Sequence, residues 1–458
     1  MIEAAGRHSH TRQILRGSRL LQWWHAPPRL IALFEHAVLL RLFRTTLVSR
    51  LLVALLLLSA AAAAATQHLA LAALSLTVVA AFFAPLMAVA ALPMALIWSP
   101  RLPVLAMGDE ILFLRVDHAL VLGVAWHLAA GRRFCFRDSP VFTPFALFLA
   151  TVALSASVGM LRGTAPAPAA TLLYLMQWLH LGLILAITYA LGAKMGPAGL
   201  YAWPLAVLSA AAYGLAEYSW PFYEHSGVAY RCYERVVFDG QANHFAGLFA
   251  FSTVVGLALL REVRWRALGL SLAVLSTAAL VTTGSRTGVI AWCAATTTLA
   301  MLWSPIIRYT LPPLVLLGAL LAPSTWWYRF SAPGTSMFDR LVAWKSALST
   351  VPHYPLLGLG AGARHRSYYD NQYLMTLAES GALGLLFLLA TLLALARALF
   401  QNRAVNGLAA LLCTGTLAGL AGLAIHGWAA VTFIITVAAG PAFWLFGYAL
   451  AIAEEEKR

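Results

Sequence analysis

The sequence predicts an all-α, polytopic integral membrane protein of about 12 (12–14) transmembrane helices. Of its 458 residues, 61% are hydrophobic and 10% charged, and the mean hydropathy is +0.78, whereas an ordinary soluble domain carries roughly 25% charged residues. The apolar residues also fall in successive runs of about 20, the length a helix needs to cross a hydrocarbon core of about 30 Å. These runs are too long and too continuous for the alternating strands of a barrel, so helices are left as the structure that satisfies every backbone polar group in lipid.

In chain order, residues 1–50 carry eight arginines and no lysine. They precede the first strong apolar run, "LLVALLLLSAAAAAA". The stretch is too long and too basic for a cleavable signal peptide and reads as a cytoplasmic arm, in which "PRLIALFEHAVLLRLFRTTLV" suits an amphipathic helix on the membrane surface. Residues 51–458 then read as one transmembrane domain, with apolar segments at about 51–66, 69–98, 108–129, 140–159, 168–194, 199–218, 244–261, 266–283, 287–303, 309–322, 371–397, 405–424 and 428–451. Pro85 and Pro93 make the run at 69–98 either one kinked helix or two short ones. Alanine-rich stretches such as 60–65 read as helix-packing surfaces. No repeat of fixed period and no inverted pair of broken helices stands out.

The net charge of +14 reports topology before it reports a ligand, because Lys and Arg collect in cytoplasmic loops of membrane proteins. Nucleic-acid binding is excluded on that ground. With both termini cytoplasmic, the loops bearing Arg132, Arg133 and Arg137, then Arg261, Arg264 and Arg266, then Arg308, then Arg397 and Arg403 all fall inside, as does Lys194. Two longer polar stretches, 219–243 and 323–370, fall outside together with the short "TGSRTG" turn. The four cysteines, at 135, 232, 293 and 413, show no CxxC spacing, so neither a disulfide framework nor a zinc site is implied. Asp117 and His127, inside the segment at 108–129, read as an interhelical bond and a cytoplasmic-end histidine.

Three outward elements carry the chemistry: "YERVVFDGQANHFAG", "TTGSRTG", and the stretch from "FDRLVAWKSAL" through "PLLGLGAGARHRSYYDNQYLMTLAESGALGLL". Arg231, Arg235, Arg286, Arg340, Arg364 and Arg366 suit a diphosphate, since the planar guanidinium makes bidentate, charge-assisted bonds to phosphate oxygens. The plainer alternatives are a snorkelling anchor for Arg286, a surface pair with Glu234 or Asp239 for Arg235, and a pair with Asp339 for Arg340. Glycines in "GLGAGA" permit tight turns close to a ligand. Aromatics such as Trp326, Trp327, Tyr328, Tyr368, Tyr369 and Tyr373 read mainly as an interfacial belt.

The order of Arg340, Trp344, Pro355, Gly358, Gly360, Asn371, Tyr373, Leu374, Glu379, Gly381 and Gly384, preceded by Ser285, Arg286 and Gly288 and by Arg235, Gly240 and Asn243, resembles the O-antigen ligase and O-antigen polymerase superfamily of bacterial membrane glycosyltransferases over about residues 230–395. The resemblance implies an inverting, metal-independent transfer, with no cofactor, of a glycan from undecaprenyl diphosphate at the periplasmic face of the inner membrane. The acceptor it implies is lipid A-core for a ligase or a second lipid-linked glycan for a polymerase. Membrane lipids are the remaining partner.

The resemblance assigns Arg286, Arg235 and Arg340 to the diphosphate, with Arg286 stabilising charge on the departing group. Asn243, Asn371, Tyr373, Gly381 and Gly384 are supporting residues. Where typical ligases carry His-Asn, this chain has Asp370-Asn371. Asp370 is the candidate base toward an acceptor hydroxyl, with His365 as the alternative. Asp370 also suits a helix N-cap, and Gly381 and Gly384 suit close helix packing. A lipid-linked glycan flippase and a catalytically silent superfamily member are the competing readings. The clustering of ionisable residues at one face, rather than along a path through several helices, favours the enzyme.

Overall fold

A computed structural model describes residues 46–65, 69–100, 102–107, 110–131, 139–164, 168–219, 242–303, 335–363 and 370–458. The helices among them are α1 Thr46–Ala65, α2 Leu69–Phe83, α3 Pro85–Trp98, α4 Val116–Ala130, α5 Phe142–Arg162, α6 Pro168–Met195 and α7 Ala202–Ser219. They continue with α8 Ala242–Leu259, α9 Arg266–Thr282, α10 Arg286–Trp303, α11 Thr335–Thr350, α12 Gln372–Asn402, α13 Gly407–His426 and α14 Thr436–Glu456. Eight helices of the described residues are long and apolar enough to cross a membrane, and α2, α3 and α4 are apolar but shorter. The chain is a helical, polytopic membrane protein. The segment expected at 309–322 lies outside the described residues.

Two parts of the N-terminal half differ from the sequence reading or sharpen it. The run at 69–98 is two short helices, α2 and α3, parted at Ala84 (φ −123°, ψ 61°) with Pro85 opening α3, a position where its missing N–H costs nothing. The expected helix at 108–129 begins only at Val116. Ahead of it the strands β1 Leu102–Met107 and β2 Glu110–Leu114 pair antiparallel, Leu102 opposite Leu114 and Met107 opposite Glu110. Pro100 and Pro103 end the helical course of α3. Gly108-Asp109, between the strands, is a hairpin signal that a count of apolar residues overlooks.

Burial organises the bundle around α14 and α8. The most apolar stretch of α14 is wholly enclosed by other helices, and that of α8 nearly so. Lipid tails are as apolar as leucine, so helices associate through close packing rather than through escape from water. Gly447 on α14 shows how: a Cβ there would stand 2.7 Å from the Leu185 carbonyl oxygen of α6, so only glycine lets the two backbones meet.

A charged cluster ties α3, α4 and α6 together deep in the protein. The Arg115 guanidinium donates from Nε to Asp117 Oδ1 at 2.8 Å and from Nη2 to the Leu96 carbonyl at 2.7 Å. Asp117 Oδ2 pairs with His180 Nε2 at 3.0 Å, which is the interhelical bond expected of Asp117. All three side chains are buried. His127, on α4, pairs through Nδ1 with the Phe82 carbonyl of α2 at 2.8 Å.

The chain alternates direction, so like ends gather on two faces. One face carries the turn after α8, where Arg261 lies 5.5 Å from the Trp303 ring at the end of α10. Gly407 meets Glu456 on that same face. The opposite face carries the starts of α8, α10, α12 and α14 and the end of α13, and Asn243, Arg286, Asp370, Asn371 and Tyr373 lie there.

Candidate functional site

The turn between α9 and α10 is built around serine. Gly284 takes the left-handed conformation at φ 57°. Ser285 Oγ then accepts from the Gly288 N–H at 3.1 Å, capping α10, and donates to Asn243 Oδ1 at 2.9 Å. Asn243, in the first turn of α8, is thereby fixed beside Arg286, the first residue of α10. The Arg286 side chain is half-buried, and its guanidinium has no hydrogen-bond partner among the described residues. A cation at the positive end of a helix dipole is unfavourable by itself and becomes favourable once an anion sits between them. The arrangement suits an anionic ligand.

A second pair forms at the start of α12. Arg340 Nε, on α11, donates to Asp370 Oδ2 at 3.0 Å, with both side chains partly exposed. The expected alternative, a pair of Arg340 with Asp339, is not what forms. Nor is Asp370 the helix cap. Asn371 is, its Oδ1 accepting from the N–H groups of Tyr373 and Leu374, each at 3.0 Å. Asp370 stands one residue earlier at φ 44°, a left-handed conformation that Asp tolerates better than most side chains. The asparagine takes the cap because its extended backbone (φ −151°, ψ 113°) aims the amide oxygen at the first turn. The carboxylate is left free to turn toward α11.

Gly381 allows close packing, with a Cβ there standing 2.2 Å from the Leu356 carbonyl carbon, but against a loop rather than a second helix. It breaks α12 at φ 68°, ψ −171°, and the loop 355–360 fills the break. The carbonyls of Ala378 and Glu379 accept from Leu359 N–H at 2.9 Å and Gly360 N–H at 3.1 Å. The N–H groups of Ala382 and Leu383 donate to Pro355 O at 2.8 Å and Leu356 O at 3.3 Å. Four backbone groups beside the break are thus satisfied by the loop, in keeping with what an apolar surrounding demands. Ser155 of α5 adds bonds to Leu357 O and Glu379 O, both at 2.7 Å. Gly384 lies one turn beyond the break, and a Cβ there would meet its own helix's Ser380 at 2.3 Å.

Sequence reasoning missed the element that joins the two pairs, the turn between α13 and α14. The Gln372 N–H donates to Gly427 O at 2.8 Å, and its Oε1 accepts from Thr432 N–H at 3.2 Å and Phe433 N–H at 3.0 Å. The Tyr373 hydroxyl donates to Ala424 O at 2.6 Å. His426, fully buried at the end of α13, bonds through Nδ1 to Thr432 Oγ1 at 2.7 Å. Its ring lies against Gly247 of α8, where a Cβ would stand 3.2 Å away. One path of contacts and adjoining backbone therefore runs from Arg286 through Ser285, Asn243, α8, His426, Thr432 and Gln372 to Asp370. A histidine closing an otherwise apolar run was the available signal for His426, and the residue after Asn243 was the signal for His244.

Arg235 and His365 lie outside the described residues, as do Arg231, Arg364 and Arg366. No hydrogen bond or ion pair joins Arg286 to Asp370 or Arg340 among the described residues. Asp117, His118 and His180 are the set there with metal-ligand spacing, their donor atoms within 4.8 Å of one another. Those atoms are already engaged: the Arg115 N–H donates to His118 Nδ1 at 3.2 Å, and both Asp117 oxygens are bonded. A divalent cation there would sit beside a guanidinium, so the group reads as a closed network.

Residues 271–389 match the family model described as O-Antigen ligase. The match begins in α9, takes in Arg286, Arg340, Asp370, Asn371 and the Gly381 break, and ends within α12. No curated protein matches the chain.

Proposed function

From the O-antigen ligase domain carried by residues 271–389, we propose that this membrane protein of polysaccharide biosynthesis is an inverting glycosyltransferase. It moves a glycan from undecaprenyl diphosphate to a second acceptor, lipid A-core or another lipid-linked glycan, at the periplasmic face of the bacterial inner membrane. The observation that supports this most directly is the gathering at one end of the bundle of Arg286 with the N-termini of α8 and α10, and of the Arg340–Asp370 pair with the N-terminus of α12.

Arg286 and the adjoining helix N-termini hold the diphosphate, and Arg340 extends the positive field toward it. Arg235, from the segment before α8, is the third proposed cation. Asp370 Oδ2 is occupied by Arg340, and its other oxygen faces the acceptor. In the transfer, the acceptor oxygen attacks the anomeric carbon while the bond from that carbon to the diphosphate oxygen breaks. The hydroxyl proton passes to the Asp370 carboxylate, and the electron pair leaves with the diphosphate, whose added charge Arg286 meets. Positioned donors of this kind contribute about 10²–10³ in rate.

The test is transfer by the purified protein in proteoliposomes from a polyprenyl-diphosphate glycan to either acceptor, with Arg286→Ala alongside. The reading expects product with one acceptor and a loss of about two orders of magnitude or more in the variant. Wild-type rates from Arg286→Ala would refute the assignment, and a chain that yields no product with either acceptor would be a carrier or a silent member.

A further inference from the structure

Helix α11 is not like the membrane-crossing helices around it. Its sequence, "TSMFDRLVAWKSALST", sorts by its 100° steps into three faces. One face packs inward: Ala347 is 1% exposed, and Arg340 reaches Asp370 from the same side. A second face holds Asp339 and Ser346, both exposed. The third is an arc of large apolar side chains, Leu348, Leu341, Phe338 and Val342, that are 53, 49, 70 and 53% exposed. Lys345 and Ser349 stand within that arc, also exposed.

What lies against the arc follows from the surface it joins. Helix α11 packs on α12, a helix long and apolar enough to span the membrane, whose Leu386, Leu389 and Leu393 are exposed. Leu356, just after α11, is 61% exposed, and its carbonyl is bonded to Leu383, one turn from Leu386. The exposed apolar surface of a spanning helix thus leads through Leu356 toward α11. A helix with large apolar side chains on one flank, polar ones on the other and a lysine among the apolar ones is the pattern of a segment lying in the headgroup boundary, where the lysine stem lies along the chains and its ammonium reaches the phosphates.

We propose that α11 is seated in the membrane interface, its Phe338, Leu341, Val342 and Leu348 arc in the acyl layer and Lys345 at the lipid phosphates, so that the Arg340–Asp370 pair opens onto the leaflet. On the glycosyltransferase reading, a lipid-linked substrate then meets Arg340 from within its own leaflet, without leaving the bilayer.

The test needs no substrate. Nitroxide labels are placed at Leu341→Cys, Leu348→Cys, Ser346→Cys and Leu393→Cys in the full chain with its four cysteines changed to alanine. The protein is reconstituted in vesicles of phosphatidylethanolamine and phosphatidylglycerol. Collision with oxygen, which concentrates in the acyl layer, is compared with collision with a water-soluble nickel chelate. The labels at 341 and 348 are expected to favour oxygen as the label at 393 does, and the label at 346 to favour nickel. Labels at 341 and 348 that nickel reaches as readily as 346, or that neither reagent reaches, would overturn the proposal. The second of these outcomes would mean that protein, not lipid, covers the arc. Either failure leaves the transfer assay standing, and a failed transfer assay leaves this measurement standing.

Discussion

Arg340 and Asp370, thirty positions apart in sequence, meet in one hydrogen bond of 3.0 Å between Nε and Oδ2. The contact pins α11 to the residue that precedes the cap of α12. Asp370→Asn keeps a side chain that tolerates the left-handed backbone and removes the carboxylate. Glycan transfer is expected to fall by about 10²-fold or more, the contribution of a positioned base. Melting in detergent should hardly move, since a partly exposed ion pair contributes about 0–1 kcal/mol. Undiminished transfer by Asp370→Asn would remove the aspartate from the chemistry.

Gly381→Ala tests the broken helix. The glycine sits at φ 68°, ψ −171°, and a Cβ would stand 2.2 Å from the Leu356 carbonyl carbon. That backbone region costs a non-glycine residue about 1–3 kcal/mol before any clash. A drop in melting temperature and in folded yield is expected, larger than that from Gly384→Ala. Equal melting of the two variants would contradict the role given to the break.

Gln372→Met leaves the size of the side chain nearly unchanged but removes the acceptor for two buried N–H groups, those of Thr432 and Phe433. Each unsatisfied donor costs about 1–3 kcal/mol. Destabilisation should appear in thermal melts, and transfer should weaken even under conditions where the variant is folded, because the turn it holds joins the two halves of the site. A variant that melts early yet transfers normally when folded would confine Gln372 to stability.

Asp117→Leu strands the buried Arg115 and is expected to cost about 3–5 kcal/mol, whereas Arg115→Met combined with Asp117→Leu should recover most of it. Paired melts of the single and double variants measure this. A double variant as unstable as the single would show that the cluster does more than neutralise itself.

Much of this was legible in sequence because lipid enforces simple rules. Run length and hydropathy revealed the spanning helices, and the glycines and asparagine near 358–384 marked the candidate site. The hairpin at 102–114 was hidden because, in a short apolar stretch, strand and helix share the same composition. The exchange of roles between Asp370 and Asn371 was hidden because both residues cap helices, and only the left-handed turn at 370 decides between them. The part played by Gln372 and His426 was hidden because it depends on a turn more than fifty residues downstream of Gln372, a long-range closure that no local pattern records.

The loop at 355–360 replaces the rungs that α12 lacks at Gly381, so the first nine residues of that helix and the loop have no independent structure. An engineer who wishes to exchange this region between two such proteins has to transplant residues 340–384 as a single cassette. Moving Asp370 and its neighbours alone would graft a cap onto a helix whose missing turn is supplied by a loop of the wrong parent.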